Sequence, residues 1–167
     1  MLKTNSIDLS KLYNIQKDLD AYIAKNHNVN YETTHKKRLL ALIIELGEFA
    51  NETRCFKYWS NKGPSSKDII LDEYADGLHF LLSLGIPLNT NKYVYDIYQD
   101  NNDLTDAFLK LYEDALKLNK EYNLDNYINA MQSFINLLPL LGYSELDLTN
   151  AYLKKAQVNY DRQNSNY

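Results

Sequence analysis

Leu39-Leu40-Ala41-Leu42-Ile43-Ile44-Glu45-Leu46-Gly47-Glu48-Phe49-Ala50 carries two patterns at once. Leu39, Leu42, Ile43, Leu46 and Ala50 recur at helical spacing and make one apolar stripe. Glu45 and Glu48, continued by Glu52, make a second stripe. An acidic face in water usually interleaves lysines that pair with the acids. No base occurs from Leu40 to Phe49, and the acids sit among Ile44, Leu46 and Phe49. Gly47 lies between them, where a helix-interior glycine costs about 1 kcal/mol relative to alanine, so close approach of a neighbour or ligand is expected.

Further along, Glu73-Tyr74-Ala75-Asp76 repeats the spacing inside another apolar run, with Gly77 beside its second acid. Residues three apart on a helix share a face, their Cβ atoms roughly 5–6 Å apart. Two such helices packed together would turn four carboxylates toward one another. Like charges that close repel unless something positive sits between them. Either the acids face water separately or they hold metal.

The remaining chain reads as helix. Helices are expected over about Ser10–Asn26, from an N-cap at Thr33 or Thr34 to about Cys55, from the N-cap Ser66 to about Leu84, and over about Asp103–Tyr122. A fifth is expected over about Asp125–Leu141, kinked or ended by Pro139, and a last one begins at the capping pattern Ser144–Asp147 and runs through Arg162. Leu88–Asn102 fits a short helix or an irregular excursion, and the polar tail, residues 161–167, is expected to be mobile. Five glycines and three prolines leave little turn chemistry for a multi-stranded sheet. The expected fold is all-α: one domain over residues 1–167, a bundle of about six helices with a four-carboxylate metal site between two central ones.

Composition narrows the function classes. A net charge of −4 argues against a general affinity for nucleic-acid backbones. Cys55 is the only cysteine, so no intrachain disulfide forms and a reducing compartment fits. The first residues have no apolar signal-peptide core and no run approaches a membrane span, so a cytoplasmic protein without a membrane partner is expected.

Hard divalent cations favour all-oxygen ligand sets, and Mg²⁺ keeps waters and binds substrate phosphates alongside carboxylates. A di-iron bundle would want Glu-x-x-His pairs; three beyond Glu45 stands Glu48, and three beyond Glu73 stands Asp76. Zinc would want His or Cys, which are scarce. Mg²⁺, or Mn²⁺, acting on phosphate is what remains. Two such ions roughly 3.5–4 Å apart would activate water and stabilise an in-line displacement. Around this centre, Gln16 falls in the apolar stripe of the first helix, either as a boundary amide bonded to backbone or as the polar edge of a ligand pocket. Arg54-Cys55-Phe56-Lys57-Tyr58-Trp59-Ser60 leads into the loop Ser60–Lys67. This segment is either a helix end with an aromatic anchor or a mobile loop bringing a lysine to an anion. His79 follows Asp76 by three.

Glu45-Leu46-Gly47-Glu48 with Glu73-Tyr74-Ala75-Asp76 resembles the ExxE…ExxD signature of the all-α nucleoside triphosphate pyrophosphatases, and within them the dimeric deoxyuridine triphosphatases (dUTPases). Leu12–Leu19, Glu52–Ser60, Asp76–Phe80 and Tyr152–Gln163 fit that branch, while Leu88–Asn129 carries no motif of it. Where the family tends to have a glycine before a tyrosine, this chain has Asn164-Ser165-Asn166-Tyr167. The resemblance implies Mg²⁺-dependent hydrolysis of dUTP, and of dUDP, to dUMP by a homodimer. It implies that Glu45, Glu48, Glu73 and Asp76 hold the ions, with Glu45 orienting or deprotonating the attacking water. Gln16 would read the uracil edge and Trp59 and His79 would line the base or sugar pocket. Lys57, Lys155, Asn159 and Arg162 would hold phosphates. Three other readings remain open: a related pyrophosphatase for dCTP or another nucleotide, a phage-borne member that binds a repressor protein, and a plain helical bundle with an acidic surface.

Overall fold

Tyr74, Ala75, Leu78, Leu81 and Leu82 are wholly inaccessible to solvent, and all lie on one helix, α3 (Lys67–Gly85). Apolar residues at Ile70, Leu71, Tyr74, Ala75, Leu78, Leu81 and Leu82 wrap more than half of its circumference, so neighbours must cover it on several sides. In this computed structural model, which describes residues 2–99 and 103–165, α3 packs on α1 (Ser10–His27), α2 (Tyr31–Thr53), α5 (Leu124–Ile135) and α7 (Glu145–Asn164). The layer is completed by α4 (Leu104–Lys120), which packs on α2 and α5, and by the five-residue α6 (Leu137–Leu141). The fold is an all-α bundle with one small sheet. Its centre is aromatic: the ring of Phe49 stacks on Tyr74 at 4.4 Å, and Phe134 closes on Tyr74 at 4.5 Å. The Tyr74 hydroxyl donates to the Phe134 carbonyl at 2.5 Å, which satisfies the polar end of a buried ring. Among the described residues no helix is long and apolar enough to cross a membrane.

Three expectations are corrected. The second helix is capped by Asn30, not by Thr33 or Thr34. The Asn30 side chain accepts the Thr33 amide at 2.9 Å, and Thr33 Oγ1 accepts the Asn30 amide at 3.2 Å, a reciprocal capping box one turn earlier. Second, the stretch expected as a short helix or an irregular excursion holds a strand, β2 (Val94–Gln99), antiparallel to β1 (Leu2–Asp8), with Ile7 facing Tyr95 and Asn5 facing Ile97. Residues 100–102 lie outside the described residues. Tyr95 and Ile97 are buried while Val94 is 51% exposed, so a period of two was present in the tyrosine-rich segment. Its partner lies at the far N-terminus, and pairing across that distance leaves no local mark.

Third, the stretch expected as one helix to about Leu141, kinked or ended by Pro139, is two helices, α5 stopping at Ile135 and α6 beginning at Leu137. Proline lacks an N–H to meet the Ile135 carbonyl, and its ring clashes with that carbonyl. The last helix starts on the expected Ser144–Asp147 capping box but runs to Asn164, so residues 161–164 of the expected tail are helical. Tyr22 donates to Asn164 Oδ1 at 2.7 Å and ties that end to α1; residues 166 and 167 lie outside the described residues. The glycines beside the acids answer to packing. A Cβ on Gly77 would stand 3.0 Å from the Phe134 ring, and one on Gly47 would stand 3.3 Å from the Tyr112 hydroxyl.

Candidate active site

Packing α2 against α3 brings one acid of the first pair to both acids of the second. Carboxylate oxygens of Glu45, Glu73 and Asp76 lie within 4.8 Å of one another, all half-buried. The Glu45 carboxyl is pushed up to about 7 by burial and then by the negative charges of Asp76, Glu48 and Glu73. Glu73 rises for the same reasons, burial first, then Asp76 and Glu48. Burial also raises Asp76, against the opposing pull of Lys155. Glu48 is exposed and stands at the edge of this group, near enough to act on Glu45 and Glu73 through its charge but outside the tight set. A dense set of hard oxygen donors, each harder to ionise through burial first and, at Glu45 and Glu73, also through acidic neighbours, is what a divalent cation relieves. The donor set therefore fits Mg²⁺ or Mn²⁺.

Positive charge from α7 reaches this group, Lys155 by direct contact and Arg162 through its charge on Asp76. Lys155, on α7, lies 2.6 Å from Asp76 and 2.8 Å from Asp72, with its side chain only 11% exposed. The resemblance placed Lys155 on phosphate; in the structure its ammonium bridges two carboxylates on α3.

A cavity of about 430 Å³ opens between α1, α2, α3 and α7, a volume in the range of small-molecule sites. Gln16, Glu45, Asp76, His79, Asn159 and Arg162 all border it. Six of the residues singled out in the sequence thus meet around one space, although they come from four helices. At its inner end the side chains form a chain of hydrogen bonds. Gln16 Nε2 donates to Asp20 at 2.9 Å. Gln16 Oε1 accepts from the Tyr152 hydroxyl at 2.9 Å and lies 2.6 Å from His79 Nδ1. The His79 ring stacks on Tyr152 at 4.1 Å, and burial, followed by the nearby Lys155 charge, lowers its pKa to about 3, so it is neutral at pH 7. Asp20 is held in turn by Arg38 at 2.9 Å, Ser83 at 2.6 Å and Tyr31 at 3.0 Å.

Lys57 and Trp59 do not border the cavity. Trp59 is 65% exposed and meets Phe56 and Tyr58 edge-on, and the Lys57 ammonium donates to Asn51 at 2.6 Å. Asp20, Arg38, Asp72 and Tyr152 were not among the site residues expected from the sequence. Two of them left a signal: Asp20, four residues after Gln16 on the same face of α1, and Asp72, four before Asp76 on the same face of α3.

No curated protein matches the chain. A family model described as dUTPase matches residues 8–167. Because that match runs from the end of β1 through every helix that borders the cavity, the chain belongs to the dUTPase family and is a dUTP diphosphatase.

Proposed function

We propose that this chain hydrolyses dUTP, and dUDP, to dUMP with Mg²⁺ (Mn²⁺ serving as well), using Glu45, Glu73 and Asp76 as cation ligands and Glu48 as a fourth acid beside them. The observation that carries this reading is the close approach of three half-buried carboxylates next to a nucleotide-sized cavity. A bound divalent cation supplies a lowered pKa for water and countercharge for the phosphates. Glu45, whose carboxyl is pushed up to about 7 by burial and by its acidic neighbours, is suited to hold or take a proton from the attacking water near neutral pH. Asn159 and Arg162 approach the same cavity from α7 and are placed to hold phosphate oxygens. Gln16 and His79 line its polar inner end and are suited to read the nucleoside. Lys57 and Trp59 lie away from the cavity, so we assign them no contact in the arrangement described.

The working unit we propose is a homodimer. α2 exposes Leu40 and Ile44, one turn apart, at 61% and 51%, and the adjacent α4 exposes Leu109 and Leu116, two turns apart, at 62% and 50%. Apolar side chains at such spacing are more than scattered surface residues and suit a self-complementary face.

The test is a panel of dUTP, dUDP, dCTP and dTTP with Mg²⁺, with Mn²⁺ and after chelation, each followed by product. Turnover of dUTP and dUDP that vanishes on chelation, returns with either cation and falls at least a hundredfold in Glu45→Gln is expected. Undiminished hydrolysis in chelator, or in Glu45→Gln with helical content intact, would sink the metal assignment. A preference for dCTP would overturn the base assignment alone.

A further inference from the structure

His79 Nε2 is a buried nitrogen with no hydrogen-bond partner among the described residues, on a residue that is 5% exposed and borders the cavity. Such an orphan in a neutral ring is either a bare acceptor or a wasted N–H, and the side chains behind it decide which. Asp20 takes three donors, Arg38, Ser83 and Tyr31, one of them a guanidinium, so both its oxygens are engaged as acceptors. The Gln16 amide facing it must therefore present Nε2, which leaves Oε1 turned toward Tyr152 and His79. An amide oxygen 2.6 Å from a ring nitrogen requires a proton on that nitrogen. His79 thus carries its hydrogen on Nδ1, and its Nε2 is a bare lone pair.

We propose that Asp20 is a positioning residue for substrate recognition: acting through the Gln16 amide, it locks His79 in the Nδ1–H tautomer, so that Nε2 accepts a hydrogen bond from a donor on the nucleoside. This deepens the reading that the nucleoside occupies the cavity and rests on it. Two donors of a deoxyuridine nucleotide have this chemistry, the imide N3–H of the base and the 3′-hydroxyl of the sugar. Arg38, Ser83 and Tyr31 act one step further back. They hold the Asp20 oxygens as acceptors in a fixed orientation, and Arg38, itself lying 4.6 Å over the Tyr31 ring, cannot be replaced by a smaller cation without loosening that grip.

The experiment is a long-range proton–nitrogen correlation on the full chain labelled with nitrogen-15 in histidine, with dUMP as the probe. At pH 7 His79 is expected to be protonated on Nδ1 and bare on Nε2; the opposite tautomer overturns the proposal without touching the placement of the nucleoside. Asp20→Asn gives Gln16 a partner that both donates and accepts, and the tautomer is expected to become mixed or inverted while affinity for dUMP falls about tenfold. An unchanged tautomer there overturns the proposal. Gln16→Met keeps the Asp20–Arg38–Ser83–Tyr31 cluster whole and serves where Asp20→Asn does not fold; a tautomer still fixed on Nδ1–H would again overturn it. Addition of dUMP is expected to shift the Nε2 signal. If it does not, while the tautomer is as stated, the cavity placement fails and this recognition role fails with it. Loss of the shift with N3-methyl-dUMP assigns the imide donor, and loss with the 3′-deoxy analogue assigns the hydroxyl. A shift surviving in both overturns acceptance by Nε2.

Discussion

Glu45 has a carboxyl pushed up from the ordinary 4.5 to about 7, and this bears on stability as well as chemistry. A folded-state pKa above the unfolded value means that the folded chain binds the proton more tightly. The associated stability is fully present below about pH 4.5 and is lost as pH rises through about 7. Glu73 and Asp76 shift the same way and add to the slope. Glu45→Gln has no carboxyl to ionise. The wild type should therefore lose about 1–2 kcal/mol relative to Glu45→Gln between pH 5 and pH 8, a figure already reduced for solvent screening of a half-buried group. Thermal melts in chelator check this. Millimolar Mg²⁺ should remove the deficit above pH 7, because a bound cation favours the ionised carboxylates. Parallel pH profiles for the two proteins would show that Glu45 does not titrate in this range. At the same scale, Gln16 was legible as a polar residue in an apolar stripe. Its partners were not, because His79 and Tyr152 lie 63 and 136 residues away in sequence.

At the scale of elements, α3 meets α5 so closely that one residue is held to the smallest side chain. A Cβ on Gly85 would stand 2.3–2.8 Å from ring atoms of Tyr127, which is itself wholly buried and hydrogen-bonded to Tyr13 through its hydroxyl. That ring cannot swing away. Gly85→Ala should cost about 2–4 kcal/mol in urea unfolding. Gly47→Ala is the control: its Cβ would be 3.3 Å from the hydroxyl end of the half-buried Tyr112, and helix propensity favours alanine by about 1 kcal/mol. The two variants should therefore differ by well over 1 kcal/mol, and equal stabilities would contradict the packing described. Most helix starts were visible in the sequence because caps are local chemistry: Ser144 and Asp147 bond each other's backbone amides three residues apart. The one misplaced start has a local reason too. Asn30, Thr33 and Thr34 are all good caps, and only the first lies where its side chain reaches the Thr33 amide.

For the molecule as a whole, the exposed apolar residues of α2 and α4 predict association. Wild-type chain should run as a dimer in size-exclusion chromatography with light scattering, and Ile44→Asp should shift it toward monomer, since a charge in the centre of an apolar interface must be desolvated without a partner. Monomeric wild type at micromolar concentration would sink the homodimer proposal. The exposed pair Tyr58 and Trp59, at 94% and 65%, offers a second apolar surface on a different segment, and Ile44→Asp leaves it untouched.

The amino-acid sequence by itself determined the helical class, the Ser144–Asp147 capping box, the pairing of ExxE with ExxD and the scarcity of soft metal ligands. These are properties of spacing and side-chain type, and a helix expresses them within one or two turns. Only the tertiary structure decided which of the four acids cluster, because the approach of Glu45 to Glu73 and Asp76 depends on how α2 rolls against α3, with Glu48 left one turn along at the edge. Only it set Lys155 on Asp72 and Asp76, a pairing that spans α3 and α7. The same holds for Asp20, Arg38 and Ser83, whose charges and hydroxyl look like ordinary surface chemistry in isolation and become a buried clamp once three helices bring them within hydrogen-bonding distance. The opening pair of acids was readable because its geometry is local; what it can hold was decided by the helix packed against it.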